Sequence, residues 1–225
     1  MNNRLVRLSL QWIFFLQILF FSSICFAIQA DIQDISDNKY FQAVHEKLSG
    51  AKDSVYIAMY SISIELDKTG SEPYILLQDL IDAHKRGIRV EVYLDRYKAY
   101  NESKNDSAFL MLSREDVPVR FIMPGKILHD KLIVIDKNIV ISGSANWSYS
   151  ALRLNSENSD LIVSREYAKE KLKNILKLRP FVDKKAIDEA QIVTIKCPAM
   201  FLKDKSLGSR MVTRRDDRVF VLYLF

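Results

Sequence analysis

The chain has few of the residues that build disulfide-linked or metal-bound proteins. Its 225 residues include two cysteines, three histidines, six glycines and five prolines. Cys25 lies in an apolar N-terminal segment, so Cys197 is the only other thiol and has no partner for an internal disulfide. No cysteine or histidine cluster has the spacing of zinc ligands, and we expect neither a metal nor a cofactor. The fold must therefore rest on its hydrophobic core, and a chain of this length can bury one of sizeable extent.

The sequence also lacks internal repeats, low-complexity stretches and a strong charge of one sign. Charged residues make up 27 % of the chain, and the formal net charge is +5. Arg4 and Arg7 contribute to that charge, and residues 28–225 carry 31 basic against 28 acidic residues. An excess of three positive charges is only weak support for a polyanionic partner, because a solvated surface of mixed sign gives the same count.

Residues 1–27 have the layout of a secretory signal. Arg4 and Arg7 precede an apolar run over residues 8–21, and small residues stand at Cys25 and Ala27. This layout predicts cleavage after Ala27 or, less favourably, after Ala30, and hence a periplasmic or secreted protein. The alternative is an uncleaved anchor in the inner membrane, because residues 8–28 approach the roughly 20 needed to span a bilayer. In both cases the basic flank stays inside and the domain lies outside.

The part of the chain after the signal alternates between helical and strand-like patterns. Ser36 stands at the expected cap of the first helix, and Gly50 and Gly87 follow the first and second helices. Strands that alternate with helices predict an α/β fold with a mixed, mostly buried β-sheet flanked by helices. The predicted helices cover residues 37–48, 73–86, 107–112 and 165–178, and the predicted strands 54–60, 88–94, 117–122, 132–135, 139–141 and 159–163.

We expect residues 31–180 to form the catalytic domain and residues 181–225 to be a C-terminal extension of uncertain structure. The extension ends in an apolar run over residues 219–225. Such a run should pack into the core, pair with another chain, or belong to something longer.

One of the three histidines lies in a dense polar pattern. Residues 129–136 read HDKLIVID, and residues 143–146 read GSAN. Residues two apart on a strand share a face, so His129 and Lys131 can address one ligand. An imidazole can attack phosphorus, and the Lys131 ammonium and the Asn146 amide are donors suited to phosphate oxygens. By contrast, His45 and His84 lie on helical patterns without reactive neighbours, and we interpret both as structural.

The full spacing resembles the HKD signature of the phospholipase D superfamily. Residues 155–158 (NSEN) and 56–61 (YIAMYS) resemble the small single-motif bacterial endonucleases of that superfamily. The resemblance covers roughly residues 36–180 and implies a phospholipase D-like fold with one HKD half per chain. It implies that His129 is the nucleophile and forms a phosphohistidine intermediate. Lys131 and Asn146 would bind the phosphate.

Three further residues of the motif receive supporting roles. The resemblance implies that Ser144 and Glu157 support the pocket and orient the imidazole through hydrogen bonds. Asp136 also belongs to the motif, but we expect a structural role for it. It follows an apolar strand and opens a turn, where aspartate commonly accepts hydrogen bonds from nearby backbone amides.

The reaction also needs an acid for the leaving oxygen, which in this family is usually a second histidine. Each chain supplies only one His-x-Lys. A two-fold homodimer would bring His129 of both subunits to one phosphate, so we expect a homodimer with the active site at the two-fold interface. Glu157, a water molecule or a group in the C-terminal extension are alternative acids.

Three functions agree with these residues. The first is an exported non-specific nuclease that cleaves DNA or RNA, with basic runs near residues 169–179 and 214–215 following the phosphate backbone. The second is a phospholipase D that hydrolyses phospholipid head groups near the membrane. The third is a non-catalytic nucleic-acid-binding module. The motif alone does not separate the first two, because it recognises the phosphodiester that both substrates share.

Overall fold

The computed structural model describes residues 27–96, 104–122 and 127–181, together with two short strands at 212–215 and 218–221. Eight strands of the described chain form one sheet, and the last two form a separate antiparallel pair. The strands are β1 (Asp31–Asp34), β2 (Ser54–Met59), β3 (Arg89–Leu94), β4 (Val119–Ile122), β5 (Lys131–Ile135), β6 (Ile139–Gly143), β7 (Ser159–Val163), β8 (Pro180–Phe181), β9 (Val212–Arg215) and β10 (Arg218–Val221).

The large sheet is mixed, as the sequence predicts. Its strand order is β1-β7-β6-β5-β2-β3-β4-β8, with β2, β3 and β4 parallel and every other pairing antiparallel. The central strands are rich in branched and aromatic residues and are buried along almost their whole length. The α/β class and the mixed, mostly buried sheet are therefore confirmed.

Five helices cover the two faces of the sheet. The first four pack on one face around a core that includes Ile57, Val92 and Ile133. The fifth packs on the opposite face against Tyr56 and Val134, which alternate with the first set along the same strands. The helices are α1 (Lys39–Ser49), α2 (Glu72–Lys85), α3 (Asp106–Arg114), α4 (Tyr149–Arg153) and α5 (Arg165–Leu176).

Several local predictions were wrong. Ser36 does not cap α1, because Asn38 occupies the N-cap position and the Ser36 hydroxyl donates to Asp34 instead. The sequence also gave no sign of β1, which is polar and exposed, or of α4, which is only five residues long.

The leader, Cys197 and residues 222–225 lie outside the described residues, so the predictions made on them stay predictions. Within the described segments, no helix combines the length and apolarity that a membrane crossing requires.

Candidate active site

The site lies where the parallel strands end. Lys131 opens β5 directly beside Met59, the last residue of β2. The next residue, Tyr60, donates its backbone N–H to the carbonyl of Asp130 at 2.8 Å, which ties the end of β2 to the segment between His129 and Lys131. Ligands of open α/β sheets commonly bind at the carboxyl ends of the strands. The fold therefore presents His129 at the edge where a ligand is expected.

His129, Lys131 and Tyr60 form the centre of the site. The Lys131 Nζ donates to the His129 carbonyl at 3.0 Å and lies 3.4 Å from each ring nitrogen of His129. The Tyr60 ring packs against both residues, 4.7 Å from the His129 ring and 4.8 Å from the Lys131 ammonium. Lys131 is only 8 % exposed, whereas His129 is exposed. The imidazole thus stands at the surface above a buried cation that is held by an aromatic ring.

Burial sets the charge properties of Lys131. Desolvation lowers its pKa below the ordinary value of 10.5, although the carboxylates of Glu157 and Asp130 act in the opposite direction. In the described part of the chain no carboxylate forms an ion pair with this ammonium, so its charge is available to an incoming anion. Lys131 is therefore suited to bind a phosphate oxygen.

This lowered pKa predicts an alkaline limit to activity. Lys131 binds phosphate only when protonated, so kcat/KM should fall as the pH rises through its pKa, at a lower pH than an ordinary lysine would give. The pH profile of kcat/KM on bis(4-nitrophenyl) phosphate measures this fall. Lys131→Arg is the control, because guanidinium stays charged throughout the range and should remove the limit. A limit at the same pH in the Arg variant would show that another group titrates.

The last residue of β6, at position 143, must be glycine. A Cβ there would stand 2.2 Å from both the Asn158 carbonyl oxygen and the Ser159 hydroxyl, so no other residue fits without moving β7. Gly143 pairs with Ser159, and the Ser144 N–H donates to the Asn158 carbonyl at 2.8 Å. This close approach brings Ser144 against the segment that carries Glu157.

Ser144 and Glu157 are in direct contact. The Ser144 hydroxyl donates to one carboxylate oxygen of Glu157, and Asn155 Nδ2 donates to the other at 2.9 Å. The Asn158 N–H in turn donates to the Ser144 hydroxyl oxygen at 3.0 Å. In the described residues no hydrogen bond joins Glu157 to His129, and the orienting role that the resemblance implies stays a prediction. The Glu157 carboxylate is close enough to Lys131 to act against the lowering of the lysine pKa.

Asn146 is held in place by its neighbour in the chain. The backbone of Trp147 bonds to Ser61 at 3.1 Å and to Ser63 at 2.8 Å, directly after Tyr60. The Trp147 indole is fully buried and donates to the Tyr40 hydroxyl at 3.1 Å. The Asn146 Oδ1 is buried without a protein partner among the described residues. This oxygen can accept a hydrogen bond from a ligand or from water, whereas the Nδ2 group of the same amide is the part that can donate to a phosphate oxygen.

Asp136 lies at the other end of β5. Its carboxylate accepts the backbone N–H groups of Lys52, Asp53 and Ser54 at 2.7 to 3.1 Å, just before β2 begins. These amides are close in space but more than 80 residues away in sequence, so the bonds are not the local turn bonds that we expected. The carboxylate joins β5 to β2 at the end of β5 that lies away from Lys131.

Sequence reasoning missed three residues that position the site. Asn105, only 3 % exposed, donates to the carbonyls of Tyr60 and Asp95 and accepts the Ile62 N–H. Asp95 accepts the N–H of Leu128, the residue before His129, at 2.7 Å. The third residue is Asp37, which contacts the backbone of Glu157. All of these bonds join residues that are more than nine positions apart in the sequence, so no local sequence pattern indicates them.

Asp37 supports the loop that carries Glu157. Its carboxylate accepts the Glu157 N–H at 2.7 Å, and its own N–H donates to the Glu157 carbonyl at 3.2 Å. Its backbone is left-handed, with φ of 53°, a conformation that aspartate tolerates better than most residues. Two bonds from one residue fix the backbone of Glu157 relative to α1.

The arrangement can carry out nucleophilic chemistry on a phosphate. An exposed imidazole, a buried ammonium and a buried amide lie at one edge of the sheet, beside a carboxylate. His84 lies at the opposite edge, and His45 is bonded to Asp79 at 2.8 Å between α1 and α2. Of the three histidines, only His129 therefore stands among phosphate donors. The described residues contain no group of three His, Cys, Asp or Glu side chains placed to hold a metal ion.

Known proteins resemble this chain in both sequence and fold. A phospholipase D from Rickettsia prowazekii is 33 % identical over 129 residues, which are 57 % of this chain and 57 % of that protein. A mitochondrial cardiolipin hydrolase from Mus musculus is 33 % identical over 87 residues, 38 % of each chain. The chain thus spans only a little over half the length of the rickettsial relative it matches.

Among solved structures, Nuc from Salmonella typhimurium, a phospholipase D family member, superimposes with a TM-score of 0.58. It is 22 % identical and covers 69 % of this chain and 100 % of its own, and this likeness shows the fold. The family model described as "Cardiolipin synthase, PLD-like domain" matches residues 44–178, which is more than half of the chain and includes β2 to α5 with His129, Lys131 and Asn146. The chain belongs to the phospholipase D superfamily.

Proposed function

We propose that the protein is a phosphoric diester hydrolase that works through a phosphohistidine on His129. The observation that carries this proposal is the contact between an exposed imidazole and a buried ammonium at the carboxyl ends of the parallel strands. Backbone pairing of Trp147 with residues 61–63 brings the Asn146 amide to the same edge. Superfamily membership supports the same chemistry.

The reaction has two steps. A ring nitrogen of His129 attacks phosphorus, the bond to the leaving oxygen breaks, and an acid gives that oxygen a proton. Water then attacks the phosphohistidine and gives a proton back to the group that served as the acid, and the nitrogen–phosphorus bond breaks, which releases a phosphomonoester and restores the imidazole. Lys131 and Asn146 donate to the non-bridging oxygens, where negative charge is concentrated in both transition states.

The acid is His129 of a second subunit in this proposal. Neither His45 nor His84 lies at the site, and Glu157 is already bonded to Ser144 and Asn155. His129 is exposed, so a two-fold axis can place a second copy opposite it. One imidazole attacks in its neutral form while the other, protonated, serves the leaving group.

The substrate that we propose is DNA or RNA, cleaved with little sequence preference. The support is the resemblance to the single-motif endonucleases and the basic character of α5. The second candidate substrate is a phospholipid, favoured by the names of the rickettsial and murine relatives. Hydrolysis of plasmid DNA and of phosphatidylcholine vesicles, measured side by side with the purified protein, separates the two. Cleavage of vesicles alone would overturn the nuclease proposal.

Activity should survive an excess of chelator. Lys131 and Asn146 are donors that neutralise the phosphate without a metal. Hydrolysis of bis(4-nitrophenyl) phosphate, measured after long dialysis against EDTA, should match that of untreated protein. Loss of activity that a divalent ion restores would show that the mechanism needs a metal.

We also propose that the protein is exported and that its mature chain begins at Ile28 or Asp31. Sheet pairing begins at Asp31, so either cut leaves β1 complete. Cleavage after Ala27 also keeps Gln29, whose carbonyl accepts from the Ser164 hydroxyl at 2.8 Å. N-terminal sequencing after expression in a Gram-negative host tests this prediction. Intact Met1 in the membrane fraction would favour an anchor.

A further inference from the structure

The outward side of α5 and its C-cap residue Lys177 carry a slanting row of basic side chains. Arg165, Lys169, Lys173 and Lys177 recur every four residues and are all exposed. Residues four apart lie on the same side of a helix, about 6 Å apart along its axis, so the row is about 18 Å long. These four residues are called the α5 ridge below.

The ridge concentrates the positive charge of the domain. Residues 28–164 contain 16 lysines and arginines against 20 aspartates and glutamates, whereas residues 165–181 contain six against two. Glu166 and Glu170 lie beside the row and offset part of its charge, but two carboxylates against six cations leave this segment strongly positive. Lys173 is paired with Glu170 at 3.0 Å, but both side chains are more than half exposed, and such a pair exchanges readily for another anion.

The ridge faces away from the core. The opposite side of α5 is buried through Ala168 and Ile175. On the exposed side of α5, Leu176 is the one large apolar side chain. The outward face can therefore recognise a partner by charge, but it offers almost no apolar surface to insert into a lipid layer.

The ridge runs toward the active-site edge of the sheet. Arg165 follows Val163, which pairs with Ile139 at the edge away from His129. After α5 the chain reaches Pro180, which pairs with Ile122 at the carboxyl end of β4. β4 is parallel to β3 and β2, so its carboxyl end is on the edge that carries the site. A linear ligand laid along the ridge is thus directed to that edge.

We propose that the α5 ridge binds the phosphate backbone of a single strand of nucleic acid and leads it toward His129. This inference rests on the proposed function and adds the surface that holds the substrate. A linear polyanion matches a linear row of cations. A flat anionic membrane would also meet the rest of the domain, whose net charge over residues 28–164 is negative.

The test neutralises the ridge with Arg165→Gln, Lys169→Gln, Lys173→Gln and Lys177→Gln together. The matched control removes four exposed or half-exposed charges elsewhere, with Lys39→Gln, Lys47→Gln, Lys52→Gln and Lys85→Gln. Both sets are made in the full chain that also carries His129→Asn, so that the probe is not cut. Fluorescence anisotropy with a labelled 20-nucleotide single-stranded DNA gives Kd at several salt concentrations.

The ridge variant should bind the oligonucleotide about tenfold or more weakly. A plot of the logarithm of its binding constant against the logarithm of the salt concentration should be shallower by about 3, because each of the four lost phosphate contacts contributes roughly 0.7 to the slope. The control variant should keep the original slope. Lysine-to-arginine changes at Lys169, Lys173 and Lys177 should keep binding, which separates loss of charge from damage to the helix. Equal effects of the two glutamine sets would overturn the proposal. So would a ridge variant that loses binding to phosphatidylglycerol vesicles but keeps the oligonucleotide.

Hydrolysis of a small diester distinguishes a failure of the catalytic proposal from a failure of the ridge proposal. The ridge variant with His129 intact should hydrolyse bis(4-nitrophenyl) phosphate at the normal rate, because this small diester does not reach α5. If His129→Asn alone left hydrolysis unchanged, the catalytic proposal would be wrong, whereas the binding measurements would still decide the role of the ridge.

Discussion

His129→Asn is expected to reduce hydrolysis of bis(4-nitrophenyl) phosphate by at least about 10³-fold, because it removes the nucleophile itself. The asparagine amide can replace the polar contacts of the imidazole but cannot attack phosphorus. His129 is exposed and contributes nothing to the two hydrophobic clusters, so the fold should be kept. The measurement is the initial rate together with the thermal unfolding midpoint.

The matched control is His84→Asn. His84 lines a small cavity at the amino end of β3, on the sheet edge opposite Lys131. It should keep normal activity. Activity of the His129 variant within tenfold of the unmutated protein, with unchanged stability, would place the nucleophile elsewhere.

The second large effect concerns the shared site. When His129→Asn chains are mixed with unmutated chains under exchange conditions, activity should fall as the square of the unmutated fraction. Each composite site needs two intact imidazoles, one as nucleophile and one as acid, so a mixed dimer has no complete site. Activity is followed against the mixing ratio, with sedimentation velocity on the same samples.

Different outcomes would point to different acids. A straight-line fall would mean that each subunit works alone, with Glu157 or water as the acid. Full activity from a protein that sediments as a monomer would give the same conclusion. The structure motivates the dimer because Glu157 is occupied by Ser144 and Asn155 and makes no bond to His129 in the described part of the chain.

Much of the central sheet could be predicted from local sequence. The strand at Ser159–Val163 was predicted with its observed limits, and the predicted strands 132–135 and 139–141 fall within β5 and β6, which pair antiparallel. These strands are buried, and their runs of branched apolar residues indicate this burial in the sequence. The motif residues His129 and Lys131 could likewise be found, since they are only two residues apart at the start of β5 and form a local pattern.

Elements that depend on distant partners could not be predicted in this way. β1 has only one large apolar residue, Ile32, which is itself exposed, and it is a strand because it pairs with β7 some 130 residues later. Asp136 shows the same limit: its turn position was evident, but its amide partners before β2 were not. Helix α4 is too short to show a periodic pattern.

The supporting residues of the site were hidden for the same reason. Asn105 and Asp95 hold the ends of β2 and β3 and the segment before His129 through bonds between distant parts of the chain. Tyr60 was noticed only as part of a strand that resembles relatives, yet its ring contacts both His129 and Lys131. Residue type alone does not distinguish such positions from ordinary strand ends.

The most direct test of the catalytic proposal is to trap the covalent intermediate. The protein is mixed with bis(4-nitrophenyl) phosphate, quenched in alkali within the first turnovers, digested and analysed by mass spectrometry. One 4-nitrophenolate leaves as the nitrogen–phosphorus bond forms. We therefore expect a 4-nitrophenyl phosphoryl group on the peptide that contains His129. This adduct should be labile to acid and should be missing from the His129→Asn protein. The same adduct on another residue, or on the His129→Asn protein, would contradict it.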